Sequence, residues 1–513
     1  MLRRNLLKLL GNSAAGASLC AVPITLLAKA RALDQAIGIP ATDLVTDPLT
    51  ETAKRFAASR KTHPFLAGFE SVTPPGTGKA SANIVGRWPS ALRGTLFRNG
   101  PGLFDRGTQR YQHWFDGDGL MQAWTIDAGG VTHHSRFINT SKFARESRSN
   151  KFEIMAAGTT IPNARAISGP DDANTGNISV LHIGGKTYAL WEAGSAYEID
   201  RDTLETLDTK IWRDDLAGAA FSAHPVYEPD GSIWNVGLFD SKLLIYHVDK
   251  LGALKTVQLI NLPRGGYMHS FTASESKLVF VLAPLMRVRE AGSFFEQMGW
   301  KNELGSFMVV LDKADLSKPR FAEFESGAAY HYADAWDEAD GTLALRACWY
   351  GPGSGFVSPF GQYVQGYTHL DTPLAQELVE IRLPANAKRA VLQRQGVAKV
   401  EFPIQTNLMQ RSANIYLQGR ATHPLGALSG ILSLNKSAKP LGHFDFGNDF
   451  VLEEQLYVRA GGKRYALGTI FNAKKARTGL VLFNLDRLGD GPIAQAWLDR
   501  AMPLGFHGSF LPA

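Results

Sequence analysis

An all-β fold is what this chain of 513 residues predicts, on three observations. Short apolar or alternating runs recur along its length, 51 glycines and 25 prolines punctuate them without a low-complexity tract, and aromatic residues reach 10%. With 44% hydrophobic residues the chain can bury one large core or several smaller ones, which excludes a disordered protein.

The first 32 residues stand apart from that texture. They carry Arg3, Arg4, Lys8, Lys29 and Arg31 with no acid, a weakly apolar middle, and Ala28, Ala30 and Ala32 at the spacing of a cleavage site, so residues 1–32 read as an export signal. Arg3-Arg4 before "NLLK" resembles the twin-arginine type, which implies a periplasmic protein; an ordinary secretory signal or an uncleaved anchor is the alternative. Removing those five charges lowers the net charge from +6 to +1, which leaves no footprint for nucleic acid. No later stretch approaches the ~18 consecutive apolar residues of a membrane span. Of the two cysteines, Cys20 and Cys348, only the second follows the signal, so an internal disulfide is excluded.

Residues 33–62, which include "DPLTETAKRFAASRK", have helix-forming composition and read as an N-terminal arm or short helix. From residue 63 onward strands dominate. "KTYALWEAGSAYEID", "GSIWNVGLFDSKLLIYHVD", "KLVFVLAPL", "SFMVVLDK" and "TLALRACWY" alternate or run apolar between Gly, Asp, Asn and Pro. Asp230-Gly231 and Asp340-Gly341 stand just before strands, as turn pairs do. The strand number and spacing permit a propeller, but no clean repeat period establishes one. "TPPGTGKAS" fails as a phosphate loop, because Thr73 and Ala80 replace the required glycine and hydroxyl. "FDGDG" at 115–119 lacks calcium-ligand spacing and reads as two tight turns.

Of the 13 histidines, His63, His133, His134, His182, His247, His369, His423 and His443 sit among polar or loop residues and read as solvated or packed imidazoles. Four others have distinctive surroundings: His224 in "FSAHPVYEPDGSIW", His269 in "GYMHSFTASESKLVFVL", His331 in "AAYHYADAWDEADGTLAL" and His507 in "LGFHGSFLP". Their wide separation excludes a local metal clip, whereas a closed ring of sheets can bring distant segments to one axis.

"LFRNGPG" followed by "YQHWFDGDGLMQAW" resembles the hallmark run of the carotenoid cleavage oxygenases. "HPFLAGFESV", "AHPVYEPDG", "MHSFTASES", "YHYADAWDE", "VEFPIQTN" and "GFHGSF" occur in that family's order, so the likeness covers residues 63–513. It implies a seven-bladed β-propeller, with loops and short helices capping one face and one non-haem Fe(II) per subunit on the axis. By the same resemblance His224, His269, His331 and His507 are the iron ligands. Glu192, Glu401 and Glu454 would hold the second, third and fourth of them, with Glu453 adjoining the last as the competing assignment. Four neutral imidazoles suit a first-row metal, and carboxylates on their outer nitrogens would set tautomer and orientation.

The implied activity is O2-dependent cleavage of a C=C bond in a carotenoid or apocarotenoid, an apolar conjugated substrate, to carbonyl products. Ile178 stands where many relatives have a threonine near the open metal position. A stilbene- or phenylpropanoid-cleaving enzyme is the alternative within the same chemistry. That branch grips a phenol with a tyrosine and a lysine; Lys142 falls at the lysine position and Gln109 at the tyrosine position, with Tyr111 nearby. A propeller that merely binds an apolar ligand is the alternative outside it. Residues 283–300, with Leu285, Phe294, Phe295, Met298 and Trp300, match a region relatives use for peripheral membrane contact; core packing or a capping loop is the other reading.

Overall fold

The computed structural model describes residues 47–513 apart from 353–355, 358, 373, 405–413 and 421–425. The signal-like segment 1–32 and His423 lie outside the described residues.

Seven antiparallel sheets succeed one another along the chain as the blades of a propeller, the fold the motifs implied. Blade 1 is assembled from both ends of the described chain, in the order Gly76–Ser81, Gly130–Phe137, Asp118–Asp127, Gly94–Asn99 and His507–Pro512. Blades 2 to 6 are each built from four strands consecutive along their sheet. They open with Ser179–Ile183, Val226–Tyr227, Thr272–Ala273, Ala328–Asp337 and Val400–Ile404. Blade 7 opens with Phe450–Ala460 and borrows Asn83–Gly86, which pairs with Pro492–Trp497. The ring is therefore closed twice, by an early strand in the last blade and by the final strand in the first.

Local sequence explains each blade. "GVTHHSRF", Gly130–Phe137, alternates half-buried and buried residues, the period-two signature of a strand with one face to a core. Leu343–Tyr350 is buried at every position, because blades press on both of its faces. Gly231 and Gly341 adopt φ of +86° and +80°, the left-handed turn conformation their Asp-Gly pairs suggest.

The core is divided among the blade interfaces. One apolar cluster sits between each adjacent pair, for example Val281 and Met308 of blade 4 against Leu345 and Val379 of blade 5. Each such side chain contributes about 1.5–3 kcal/mol on burial, so the ring is held by non-directional packing while its polar chemistry collects at the hub.

The helix Pro48–Arg60, N-capped by Asp47, forms a cap with the turn Pro64–Phe69 and the helix Pro359–Val364. Phe56, Phe69, Phe104, Tyr363 and Leu504 knit this cap to the blades. No helix among the described residues is long and apolar enough to cross a membrane.

Candidate metal centre

His224, His269, His331 and His507 meet on the axis, with one nitrogen of each lying within 4.8 Å of all the others. Each comes from a different blade. His224 and His269 immediately precede the opening strands of blades 3 and 4, His331 lies on that of blade 5, and His507 begins the last strand of blade 1. The remaining blades supply the carboxylates: Glu192 follows a strand of blade 2, and Glu401 and Glu454 lie on the opening strands of blades 6 and 7. One such residue per blade is what a closed ring delivers to its hub.

The hydrogen bonds pair these groups as the motifs implied. Nδ1 of His269 donates to Glu192 at 2.8 Å, Nδ1 of His331 to Glu401 at 2.6 Å, and Nδ1 of His507 to Glu454 at 2.8 Å. A carboxylate can only accept, so in all three rings the proton resides on Nδ1 and Nε2 presents a lone pair. His331 Nε2 and His507 Nε2 are 3.3 Å apart, and His224 Nε2 and His269 Nε2 are 2.8 Å apart. The 3.3 Å approach sets acceptor against acceptor and is repulsive unless a cation sits between them. Nitrogens sharing one first-row ion at about 2.0–2.1 Å lie about 3 Å apart when adjacent, so the residues fit a single metal.

Electrostatics point the same way. Burial, reinforced by the neighbouring imidazoles, holds His224 and His507 well below the usual histidine range, so both are neutral and able to ligate. Burial also raises the carboxyl of Glu454, a tendency opposed by Arg98.

Three of the seven hub residues lie at interruptions of strand register. Ladder irregularities flank His331, follow Glu401, and occur between Leu452 and Gln455 around Glu454. Bulges re-aim side chains out of strict alternation, which is how groups on a pleated strand turn toward the axis. Beside Glu401, Phe402 takes φ of +49°, uncommon for a bulky residue; its amide donates to Glu401 Oε2 and its ring lies over His331 at 4.9 Å.

A cavity of ≈ 1590 Å³ reaches the centre, lined by Phe115, Trp191, Met268, Tyr330, Phe360 and Phe506 among others. Such a space, apolar with a few polar groups, suits a large hydrophobic ligand. Ile178 is on its wall, and its carbonyl accepts from the His507 amide at 3.2 Å, so an aliphatic side chain borders the site beside the fourth histidine. Lys142 borders the cavity too. Its Nζ is buried among Tyr111 Oη at 2.5 Å, Glu146 at 2.8 Å and Asp118 at 3.3 Å.

Gln109 corrects the sequence reading. It is not among the cavity residues; its amide donates to Asp47 Oδ2 at 2.8 Å, at the cap of the helix Pro48–Arg60. The short hairpin Asp105–Arg106/Gln109–Arg110 turns it toward that helix, and Tyr111 takes the place beside Lys142.

"FDGDG" forms the short turn Trp114–Asp116 and the start of Asp118–Asp127. Asp116 accepts from Gly158 N and Thr159 Oγ1, and burial pushes its carboxyl up to about 6. In the 283–300 segment, Leu285–Arg287 and Met298–Trp300 pair around a helical turn; Phe295 packs on His113 and Phe115, whereas Phe294 is 39% exposed.

Sequence reasoning passed over Arg98, Tyr267, Phe402 and the structural part of Glu453. Arg98 stood in the quoted "LFRNGPG", but nothing local showed that it reaches two carboxylates more than 350 residues away. Tyr267 Oη donates to Glu192 at 3.2 Å, a contact between two blades.

The family model described as retinal pigment epithelial membrane protein matches residues 69–512, and the chain belongs to that family, the carotenoid cleavage oxygenases. It is 28% identical to the mitochondrial carotenoid-cleaving dioxygenase of Pongo abelii over 45% of this chain and 48% of that one. It is 27% identical to the carotenoid isomerooxygenase of Galleria mellonella over 55% and 60% of the two chains. With the human beta,beta-carotene 15,15'-dioxygenase the figures are 26%, 52% and 56%. The matches thus span about half the length of these relatives. Among solved structures, cobalt-substituted Synechocystis apocarotenoid oxygenase superposes with a TM-score of 0.77 at 20% identity, covering 88% of this chain and 98% of that one, a likeness of fold.

Proposed function

We propose that this protein is a non-haem Fe(II) oxygenase that uses O2 to cleave a C=C bond of a carotenoid or apocarotenoid to carbonyl products, with one iron per subunit. The observation that carries the reading is the convergence of four imidazoles, three with Nε2 lone pairs fixed by carboxylates, beside a large aromatic cavity. The names of the similar dioxygenases support it. Bound there, iron would supply the redox chemistry that lets O2 react with an electron-rich double bond.

The chain's own residues have three tasks. His224, His269, His331 and His507 hold the metal without adding negative charge, while Glu192, Glu401 and Glu454 lock three of the rings. Phe115, Tyr330, Phe360 and Phe506 present faces and edges that orient a flat conjugated substrate and exclude water. Ile178 adds methyl groups to the wall beside His507 and keeps that side of the centre dry. No side chain here needs to donate a proton.

The test offers the Fe(II) protein a panel of carotenoids, apocarotenoids and hydroxystilbenes under labelled oxygen, with O2 uptake and mass spectrometry of the aldehydes as readouts. No O2 uptake and no carbonyl product from any polyene or stilbene would sink the reading.

A stilbene-type substrate is the second reading, favoured by the Tyr111–Lys142 hydrogen bond at the cavity wall. A substrate phenol would have to compete with Glu146 for both groups, so cleavage of hydroxystilbenes in preference to carotenoids decides for it. Were the protein only a binder of apolar ligands, His331→Ala would leave its function intact. We also propose export to the periplasm through the twin-arginine-like segment; a reporter fused to residues 1–32 should lose export when Arg3 and Arg4 become lysine. Exposed Phe294 at the cavity lip, with exposed Val288 in the same segment, supports peripheral membrane contact, which liposome flotation checks.

A further inference from the structure

The three carboxylate-held histidines are not equivalent. Glu192 receives His269 and the hydroxyl of Tyr267, and Glu401 receives His331 and the amide of Phe402. Among the described residues neither carboxylate has a Lys or Arg partner. Glu454 has one. Arg98 Nη1 donates to Glu454 Oε2 at 3.0 Å, and its Nη2 faces Glu453 Oε1 at 3.4 Å and the Phe506 carbonyl at 3.2 Å.

Arg98 is 1% exposed and lies beneath the C-terminal strand. The strand pairing sets Arg98 opposite Gly508 and Asn99 opposite His507. A Cβ on Gly508 would meet the Phe97 carbonyl oxygen at 2.5 Å and Arg98 Cδ at 2.8 Å, so the glycine lets both the neighbouring backbone and the guanidinium stem lie close under the tail. The tail in turn gives its amides to the same two acids: Gly505 N to Glu453 Oε1 at 2.6 Å and Gly508 N to Glu454 Oε2 at 2.7 Å. Neighbouring side chains on a regular strand point to opposite faces, but the irregularity between Leu452 and Gln455 lets Glu453 and Glu454 both face the tail.

We infer that Arg98 is a positioning residue for the fourth ligand: it clamps the Glu453–Glu454 pair and the 505–508 tail, and thereby decides whether His507 is held at the metal. The inference rests on the proposed metal centre. Two carboxylates facing one strand repel each other, and a planar guanidinium is the group that satisfies both while leaving a donor for a backbone carbonyl. The same contact draws charge from Glu454, so His507 is the weakest donor of the three carboxylate-held rings. The centre is thus completed by a ligand whose hold depends on docking of the chain's end, in contrast to His269 and His331, which are held inside the ring.

Cobalt(II) is the probe, titrated into metal-free full-length protein and followed by its visible absorption and by a competing chelator. Arg98→Met should bind cobalt about 10- to 100-fold more weakly, the range for loss of a ligand's supporting partner. Its cobalt spectrum should move to that of His507→Ala and away from that of His224→Ala, and amide exchange should rise at residues 505–510. Arg98→Lys, which keeps a cation in the slot, should recover part of the affinity, and it carries the test if the methionine variant does not fold. Wild-type affinity and spectrum in the Arg98 variants, with His507→Ala altered, overturns the inference and leaves the metal centre standing. A wild-type protein that binds no cobalt and no iron overturns the metal centre itself.

Discussion

The hub and the blades both bury histidines, and they treat them oppositely. Inside the blades and under the cap, His133 shares a hydrogen bond with Gln122 and packs on Trp124, His182 bonds Thr187, and His113 accepts from Phe115 N while facing the Val357 carbonyl. Each of these rings has at least one protein partner of ordinary polarity, although among the described residues Nδ1 of His133 has no hydrogen-bond partner. At the hub three rings spend Nδ1 on a carboxylate and turn a bare Nε2 toward one another. Burial is common to both groups, so burial does not mark a ligand. What marks it is the convergence of several ring nitrogens on one point, where four rings bring theirs within 4.8 Å of one another.

The largest expected effect tests that distinction directly. His331→Ala should lose stoichiometric iron and all oxygen-dependent activity, whereas His133→Gln, equally internal, should keep its iron on metal analysis; iron-replete His331→Ala would erase the contrast. Next comes the carboxylate layer. Glu401→Gln, which exchanges a charge for an amide, should weaken iron binding about 10- to 100-fold in a chelator competition.

A pH series sharpens the blade side of the comparison. Burial depresses His113 and His182 to about 4 and His133 to about 3. The unfolded chain takes up these protons near 6.5 and the folded protein only near 3–4. Their stabilising contribution is therefore fully present above about pH 6.5 and lost as the pH falls toward 4, by about 2–3 kcal/mol per ring at about pH 4.5. Asp116 acts in the opposite sense. Its raised carboxyl stabilises the fold on the acid side and loses that contribution as pH rises between about 4 and 6. Three rings outweigh one carboxyl, so urea midpoints should fall on acidification, and His133→Gln should make the slope shallower. The smallest effect belongs to Tyr267→Phe. Losing one neutral hydroxyl from Glu192 should cost about three- to tenfold in metal affinity, the worth of a single hydrogen bond.

Residue chemistry alone made the β class legible, because strand alternation and Asp-Gly turns are written within a few consecutive residues. The helix Pro48–Arg60 carries its own N-cap at Asp47 for the same reason. Which histidines mattered was legible only through motif order, since nothing near His331 says what it faces. Lys142 and Gln109 show where one-dimensional spacing stops: the tyrosine beside the lysine is Tyr111, because a short hairpin turns Gln109 toward the capping helix. The motif placed the partner of His507 at Glu454, with adjoining Glu453 as the competitor. In the structure a strand irregularity turns both inward, giving one to His507 and the other to the tail amide of Gly505.

By itself, then, the order of amino acids determined the strands, their turns and the kinds of side chain available to a metal. Only the tertiary structure decided that seven blades would bring one polar residue each to a common axis and that Arg98 would bind acids from the last blade. The physical reason is range. Strands and turns are set by hydrogen bonds and sterics between near neighbours, whereas the hub exists only after apolar packing between blades has closed the ring and brought early and late strands of the described chain together.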